Sequence, residues 1–339
     1  MTAVNFFDSF ETPWAQNGNV ESIEDNQYKQ GWAYIGATPP SVEQFNKVQQ
    51  LSDEKAAWLF AQIKELADRA GFDLTAQTND ALTRGVSRLA PGVVGMMRNG
   101  RMSVATASAS ATFTADEIIV ASALGGETYR LANFSETINL ATTGAGGMDT
   151  GTAPANGYVA LYAIHNPTTG DTALLARNAT AAVQPEVYGG MNMPAGYTAS
   201  ALVSVWPTNG SGQFDVGVQQ GRRISRSSAT VLSQTTSTTS SIAVELSIAS
   251  AVPPNATGVG GTLYCHFNSS TGSAPTLSVS PTNPFVGANQ LFCSGNTTTP
   301  DFGCPFDIFG ISSQRLYYSI INSVSASVTY TLIVMKYEF

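Results

Sequence analysis

The chain has 339 residues, 43% of them hydrophobic and only 12% charged, with 31 glycines and a formal charge of −8. That length supports more than one compact unit, and ample apolar content with so little charge excludes a disordered chain. A net negative charge without clustered Lys and Arg excludes bulk electrostatic binding of nucleic acid or of an anionic membrane.

No apolar run is long enough to cross a bilayer as a helix, and the start, "MTAVNFFDSFETPW", lacks the basic region and apolar core of a secretory leader. The expectation is synthesis in a cytoplasm without membrane insertion. The three cysteines, Cys265, Cys293 and Cys304, all fall in the last quarter. An odd number without a leader argues for reduced thiols packed as small apolar groups, while one disulfide with a thiol left over stays open.

Residues 1–40 place Phe6, Phe7, Phe10, Trp14, Tyr28, Trp32 and Tyr34 at irregular spacing among Asn, Gln, Gly and Pro, with no helix or strand period. Such a segment cannot build a core, so it is expected to lie extended and to anchor on another surface through its rings.

The tract "SVEQFNKVQQLSDEKAAWLFAQIKELADRAGF", residues 41–72, has helix signals at both ends. Pro39-Pro40 precede it, Ser41 and Gln44 make a capping box, and Gly71 stops it. Positions 42, 45, 49, 52, 56, 59, 63 and 66 alternate steps of three and four and read Val, Phe, Gln, Ser, Ala, Leu, Ile, Leu. This is a heptad seam with a polar middle. Ser52-Asp53-Glu54 resembles a fresh N-terminus, so one helix and two helices broken near residue 51 both fit. The flanking sequence offers no core, and a short helix without one is expected to pair with copies of itself through Val42, Phe45, Ala56, Leu59, Ile63 and Leu66.

Residues 73–102 read as a linker, and from about residue 103 the period becomes two. Tyr158–Ile164, the turn Asn166-Pro-Thr-Thr-Gly170 and Thr172–Ala176 form a predicted hairpin. Strands are also expected at Phe113, Ile118–Val120, Leu202–Trp206 and Phe214–Val218, giving a first β-domain over residues 103–225. The low-complexity "SRSSATVLSQTTSTTSS" follows as a linker running into a strand. A second β-domain over residues 226–339 carries two strict alternations: Ile242, Val244, Leu246, Ile248, and then Val324, Ala326, Val328, Tyr330, Leu332, Val334. The predicted fold class is mainly β: a short helical, coiled-coil-like segment followed by two antiparallel sandwich-like domains.

Chemistry is sparse. "GAGGMD" lacks the Lys and the helix of a phosphate loop, and no Gly-x-Ser-x-Gly surrounds a serine. His165 sits at a strand end before Asn166-Pro167, where a turn role is expected. Cys265 and His266 are adjacent and so point to opposite strand faces, which argues against zinc. Asp149, Asp171, Asp301 and Asp307 suit turns more readily than a pair of sugar-cleaving carboxylates. No catalytic residue, cofactor or metal is expected. The C-terminal phenylalanines Phe285, Phe292, Phe302 and Phe306, set among Asn, Ser, Thr and Gly, can stack on sugar faces beside hydrogen-bonding hydroxyls and are candidate receptor contacts.

Two long phrases, "FTADEIIVASALGGETYRLANFSETINLATTGAGGMDTGTAPANGYVALYAIHNPTTG" and "PEVYGGMNMPAGYTASALVSVWPTNGSGQFDVG", resemble a β-domain that recurs in bacteriophage tail fibre proteins. The opening "FFDSFETPWAQNGNVESIEDNQYKQGWAYIGATPPSVEQFNKVQQLSDEKAAWLFAQI" is similar to the virion-attachment segments of such fibres. The resemblance covers roughly residues 6–223, carries no catalytic motif, and leaves the last part of the chain unmatched. It implies a homotrimeric virion component, docked on a tail, baseplate or adaptor protein through Phe6, Phe7, Phe10, Trp14, Trp32 and Tyr34. Its C-terminal tip would face a host cell-surface protein or glycan. A connector carrying a separate receptor-binding protein is the alternative, and a tailspike-like polysaccharide depolymerase a more distant one.

Overall fold

The structure, a computed structural model, describes residues 12–69, 92–268, 275–293, 301–322 and 327–339. The chain divides into two units, Met1–Pro91 and Gly92–Phe339. Phe6, Phe7 and Phe10 lie outside the described residues, as do Val324 and Ala326.

In the first unit, helix α1 (Asp25–Gln30) runs into a single 3-10 stretch (Gly31–Ile35), and helix α2 (Val42–Arg69) follows. The capping box forms as expected: Ser41 N–H donates to Gln44 Oε1 at 3.0 Å, and Gln44 N–H to Ser41 Oγ at 3.1 Å. α2 is one continuous helix through residue 51. Ser52 turns its hydroxyl back onto the Val48 carbonyl at 3.2 Å, so it serves as an interior residue and does not cap a second helix. α1 and the 3-10 turn were not expected from the irregular aromatics. A local signal was present, since Glu24 and Gln27 form their own capping pair, with Glu24 N–H donating to Gln27 Oε1 at 2.8 Å.

The second unit is mainly β, with two antiparallel sheets. Among the described residues the larger has twelve strands, nine of which follow one another across the sheet. These are β2 (Arg101–Val104), β3 (Ser110–Ala121), β5 (Tyr158–His165), β6 (Thr172–Asn178), β7 (Ala199–Pro207), β8 (Gly217–Gln220), β9 (Arg223–Thr236), β11 (Gly258–Phe267) and β16 (Val328–Glu338). The remaining three are β14 (Asp301–Phe309) on one edge and β1 (Met97–Arg98) and β4 (Thr128–Asn139), which pair with β3. The smaller sheet orders β10 (Ser240–Ser247), β15 (Arg315–Ile321), β12 (Thr276–Ser280) and β13 (Asn289–Phe292) side by side.

The predicted hairpin is present as β5 and β6, paired from Val159 with Asn178 to His165 with Thr172. Asn166 Oδ1 accepts from Thr168 N–H at 3.0 Å, and Gly170 takes a φ of 84°, which explains the turn residues. β7 is buried at every position, so it carries apolar residues on both faces without alternation, interrupted by the small Ser200 and Ser204. The last strand keeps its expected alternation, with Val328, Tyr330, Leu332 and Val334 all buried.

The smaller sheet lies against the β14-β11-β16-β9 part of the larger one. Tyr318 on β15 donates to Gln234 on β9 at 3.0 Å, and Leu277, Val279, Leu316 and Ile320 share a core with Leu263, Ile308 and Leu332. This is the expected sandwich-like arrangement.

The expected division into β-domains at residues 225 and 226 falls inside β9, and β9 is what joins the two regions. Its start pairs with β8, and its whole length pairs with β16, from Arg223 with Glu338 to Thr236 with Val328. The C-terminus then inserts beside the earlier strands: Arg222 Nε donates to the Phe339 carbonyl at 2.9 Å, and Tyr158 meets Tyr337 edge-on at 6.5 Å. Residues assigned to separate domains therefore share one core. The 73–102 linker ends early, because Gly95 N–H already donates to Ile119 O at 2.9 Å and β1 and β2 lie within it or at its end. β10 also departs from expectation. It is an edge strand with a register irregularity between Ser240 and Val244, and Ile242 is 79% exposed.

Candidate interaction surfaces

α2 presents two different flanks. One is occupied by the segment that precedes it: Trp14 N–H donates to Asp53 Oδ2 at 2.8 Å, and Trp14 Nε1 to Asn46 Oδ1 at 3.0 Å. Asn46 Nδ2 donates to the Asn19 carbonyl at 3.2 Å, and Gln44 Nε2 to Glu21 Oε1 at 3.1 Å. Lys55 closes the far end, donating to Tyr28 OH at 3.0 Å with its ammonium 4.2 Å from the ring centre. The N-terminal segment is thus folded back along the helix by polar contacts, where an extended course was expected. Its rings Trp14 and Trp32 remain exposed and Tyr34 is half-buried.

The other flank is the heptad seam. Val42, Phe45, Leu59, Ile63 and Leu66 are exposed, Leu59 to 55%, and Ala56 is half-buried. Trp58, which lies off the seam and was not anticipated, is exposed beside Leu59 and widens the apolar stripe with half-buried Leu51. Among the described residues no element covers these apolar side chains.

The four candidate receptor phenylalanines separate. Phe292 on β13 is 70% exposed and Phe285 is half-buried. Phe302 is half-buried and packs edge-on against Phe267 at 5.7 Å, and Phe306 is in the core. The cause is the strand β14, whose proline and glycine resemble loop residues. Its period of two sends Phe302, Cys304, Phe306 and Ile308 inward and Asp301, Gly303, Pro305, Asp307 and Phe309 outward. Phe306 is withdrawn as a contact residue, and Phe309, on the same strand, is exposed.

The outward face of β11 and β14 carries a polar cluster. Asp301 stands opposite His266 in the register, accepts from the Tyr264 hydroxyl, and lies 2.6 Å from His266 Nδ1. The Tyr264 bond and then the His266 bond hold the Asp301 carboxyl below its ordinary value, and the same bond raises the Tyr264 phenol. Asp307 is engaged separately, by Lys336 Nζ at 2.7 Å. Each of these acids has its own partner. Earlier in the chain Asp149, almost fully buried, accepts from Tyr188 OH at 2.9 Å, and Asp171 accepts from Thr169 Oγ1 at 2.7 Å inside the hairpin turn. Burial, then the Asp149 bond, pushes the Tyr188 phenol up to about 12.

Cys265 points into the sandwich and His266 out of it, as adjacent strand residues must, and no group of three or more His, Cys, Asp or Glu among the described residues is arranged to hold a metal ion. No helix among the described residues is long and apolar enough to cross a membrane.

No family model matches the chain, and no curated protein matches it. Among solved structures it is similar to the N-terminal tandem CBM22-1-CBM22-2 domain of Paenibacillus barcinonensis Xyn10C, at 9% identity and a TM-score of 0.19, over 56% of this chain and 81% of that one. It is also similar to the structure of infectious bursal disease virus Gx strain, at 12% identity and a TM-score of 0.18, over 73% of this chain and 74% of that one. Likenesses this remote carry no functional argument.

Proposed function

We propose that the chain is a bacteriophage virion structural protein, a homotrimeric tail fibre that attaches to the tail through its N-terminal unit and contacts the host surface through its β unit. The observation that carries this reading is the seam of α2. One flank of the helix is taken up by residues 14–28 of its own chain, and the other leaves Phe45, Leu59, Ile63 and Leu66 in solvent. Placing these side chains in water is unfavourable, and copies of the same stripe remove them from it. The resemblance of residues 6–223 to fibre proteins supports the same reading, as does a folded, low-charge β unit.

Adsorption would work by avidity, three weak contacts per fibre reinforcing one another. Phe292 and Phe309 are the apolar contacts the β unit offers on β13 and β14, and the Tyr264–Asp301–His266 cluster adds hydrogen-bonding groups on an outward sheet face. The test uses the full chain, labelled and incubated with host cells. Saturable binding that falls when Phe292 and Phe309 are replaced by Ser supports the receptor-facing role. Absence of binding by a folded trimer assigns the chain to the connector role instead.

A further inference from the structure

The outward face of β2, β3 and β8 carries an open cleft of about 500 Å³. It exists because two strands part. β2 and β3 are paired through Arg101 with Thr114 and Met102 with Phe113, and the ladder stops there. Beyond that point β2 stays with β8, as far as Val104 opposite Gly217, while β3 stays with β4, as far as Ser110 opposite Asn139. The gap opens between Ser103 on one side and Ser110 and Thr112 on the other.

Strand alternation decides which side chains meet there. Ser110, Thr112 and Thr114 on β3 point outward, as do Arg101 and Ser103 on β2. Val218 on β8, 55% exposed, forms an apolar wall. Thr112 Oγ1 lies 2.8 Å from Thr137 Oγ1 across the register of β3 and β4, and a hydroxyl so bonded keeps capacity for a further partner.

The Arg101 guanidinium has neither an ion pair nor a hydrogen bond among the described residues, and it is the one charged group among those lining the cleft. Asp116, two residues past Thr114 on the same outward face, is tied to Asn99 Nδ2 at 2.5 Å. An unpaired guanidinium is a fork of donors that matches a carboxylate. One positive charge, with Asp116 on the same face, suits a monoanion better than a phosphate dianion, and a polyanion needs clustered cations. The hydroxyls and the apolar wall around it suit the ring of a polyol, which offers both hydrogen-bonding edges and C–H surface.

We propose that this cleft binds a sugar that carries a carboxylate, of the uronic acid class. Arg101 holds the carboxylate, Ser103, Ser110, Thr112 and Thr114 bond the ring hydroxyls, and Val218 packs against the ring. The site lies on strands other than β13 and β14 and stands whether or not the chain is a fibre.

The test titrates the full chain with methyl glucuronide and methyl glucoside, followed by saturation-transfer NMR and calorimetry, with inorganic phosphate as competitor. The glucuronide should bind saturably and about tenfold tighter than the glucoside, the difference made by hydrogen bonds to a charged group. Arg101→Gln, an exposed substitution that should leave the melting temperature unchanged, should bring the glucuronide down to the affinity of the glucoside. Ser103→Ala should weaken both sugars together by about threefold. No saturable binding of the glucuronide by the folded chain, equal affinity for the two sugars, or an Arg101→Gln variant that binds like the parent would each overturn the proposal. Displacement of the glucuronide by an equal concentration of phosphate would make this a general anion site and overturn the sugar assignment.

Discussion

Tyr337, on the last strand, donates its phenolic hydroxyl to the main-chain carbonyl of Val205 at 2.5 Å, between residues 132 positions apart and out of reach of solvent. Burial raises this phenol well above its ordinary value, so it remains a donor across the physiological range. The bond ties the C-terminal strand to β7. Tyr337→Phe should lower the stability of the β unit by about 1–3 kcal/mol, because a buried carbonyl loses its donor. Chemical denaturation should show a single transition for the β unit in both proteins. Two transitions within the β unit of the parent chain would mean that the regions on either side of β9 unfold separately.

Gly260 and Gly261 sit at the register shift between β11 and β16, yet substitution should affect them differently. A Cβ on Gly261 would lie 1.9 Å from the Ile333 carbonyl oxygen, a backbone atom held by the ladder. A Cβ on Gly260 first meets the end of the Lys336 side chain, which can swing away. Gly261→Ala should cost about 3 kcal/mol and Gly260→Ala distinctly less, as measured by urea unfolding.

Phe306 and Phe292 should separate packing from contact. Phe306→Ala empties a core site and should cost about 3–5 kcal/mol. Phe292→Ala removes an exposed ring and should change stability by no more than about 0.5 kcal/mol. Loss of cell binding in the stable Phe292 variant, without loss of melting temperature, would mark a contact residue.

His165, at the end of β5, should give the β unit a specific acid response. Burial is the largest effect on it and lowers its pKa from 6.5, opposed by its bond to the Asp171 carbonyl at 3.2 Å. The folded protein therefore holds the neutral ring, and the unfolded chain binds a proton more readily. The stability linked to His165 is complete above pH 6.5 and declines as the pH falls through the lowered folded value. His165→Gln should flatten this slope in melting temperature between about pH 7 and pH 5.

The sequence made some of this architecture legible for identifiable reasons. Ser41 and Gln44 are a local signal, and their capping box forms without help from distant residues. Asn166 and Gly170 likewise announce a turn by their own chemistry. β9 was obscured because small Ser and Thr side chains fill both faces of most of the strand, leaving Ile224 and Leu232 as widely separated buried positions. β14 was obscured because Pro305 and Gly303 resemble loop residues, although an edge strand tolerates Pro and the alternation of Phe302, Cys304, Phe306 and Ile308 was present. The meeting of Tyr264 with Asp301 depends on how the strands are ordered, which no local pattern encodes.

The proposed assembly of α2 through its exposed seam can be tested by light scattering of the full chain beside a Leu59→Asp, Ile63→Asp variant. The parent should have about three times the 35.5 kDa mass of a single chain, and the variant that of one chain with its β unit still folded. A parent protein that runs as a monomer, or a variant that remains a trimer, would show that the seam does not hold the molecule together.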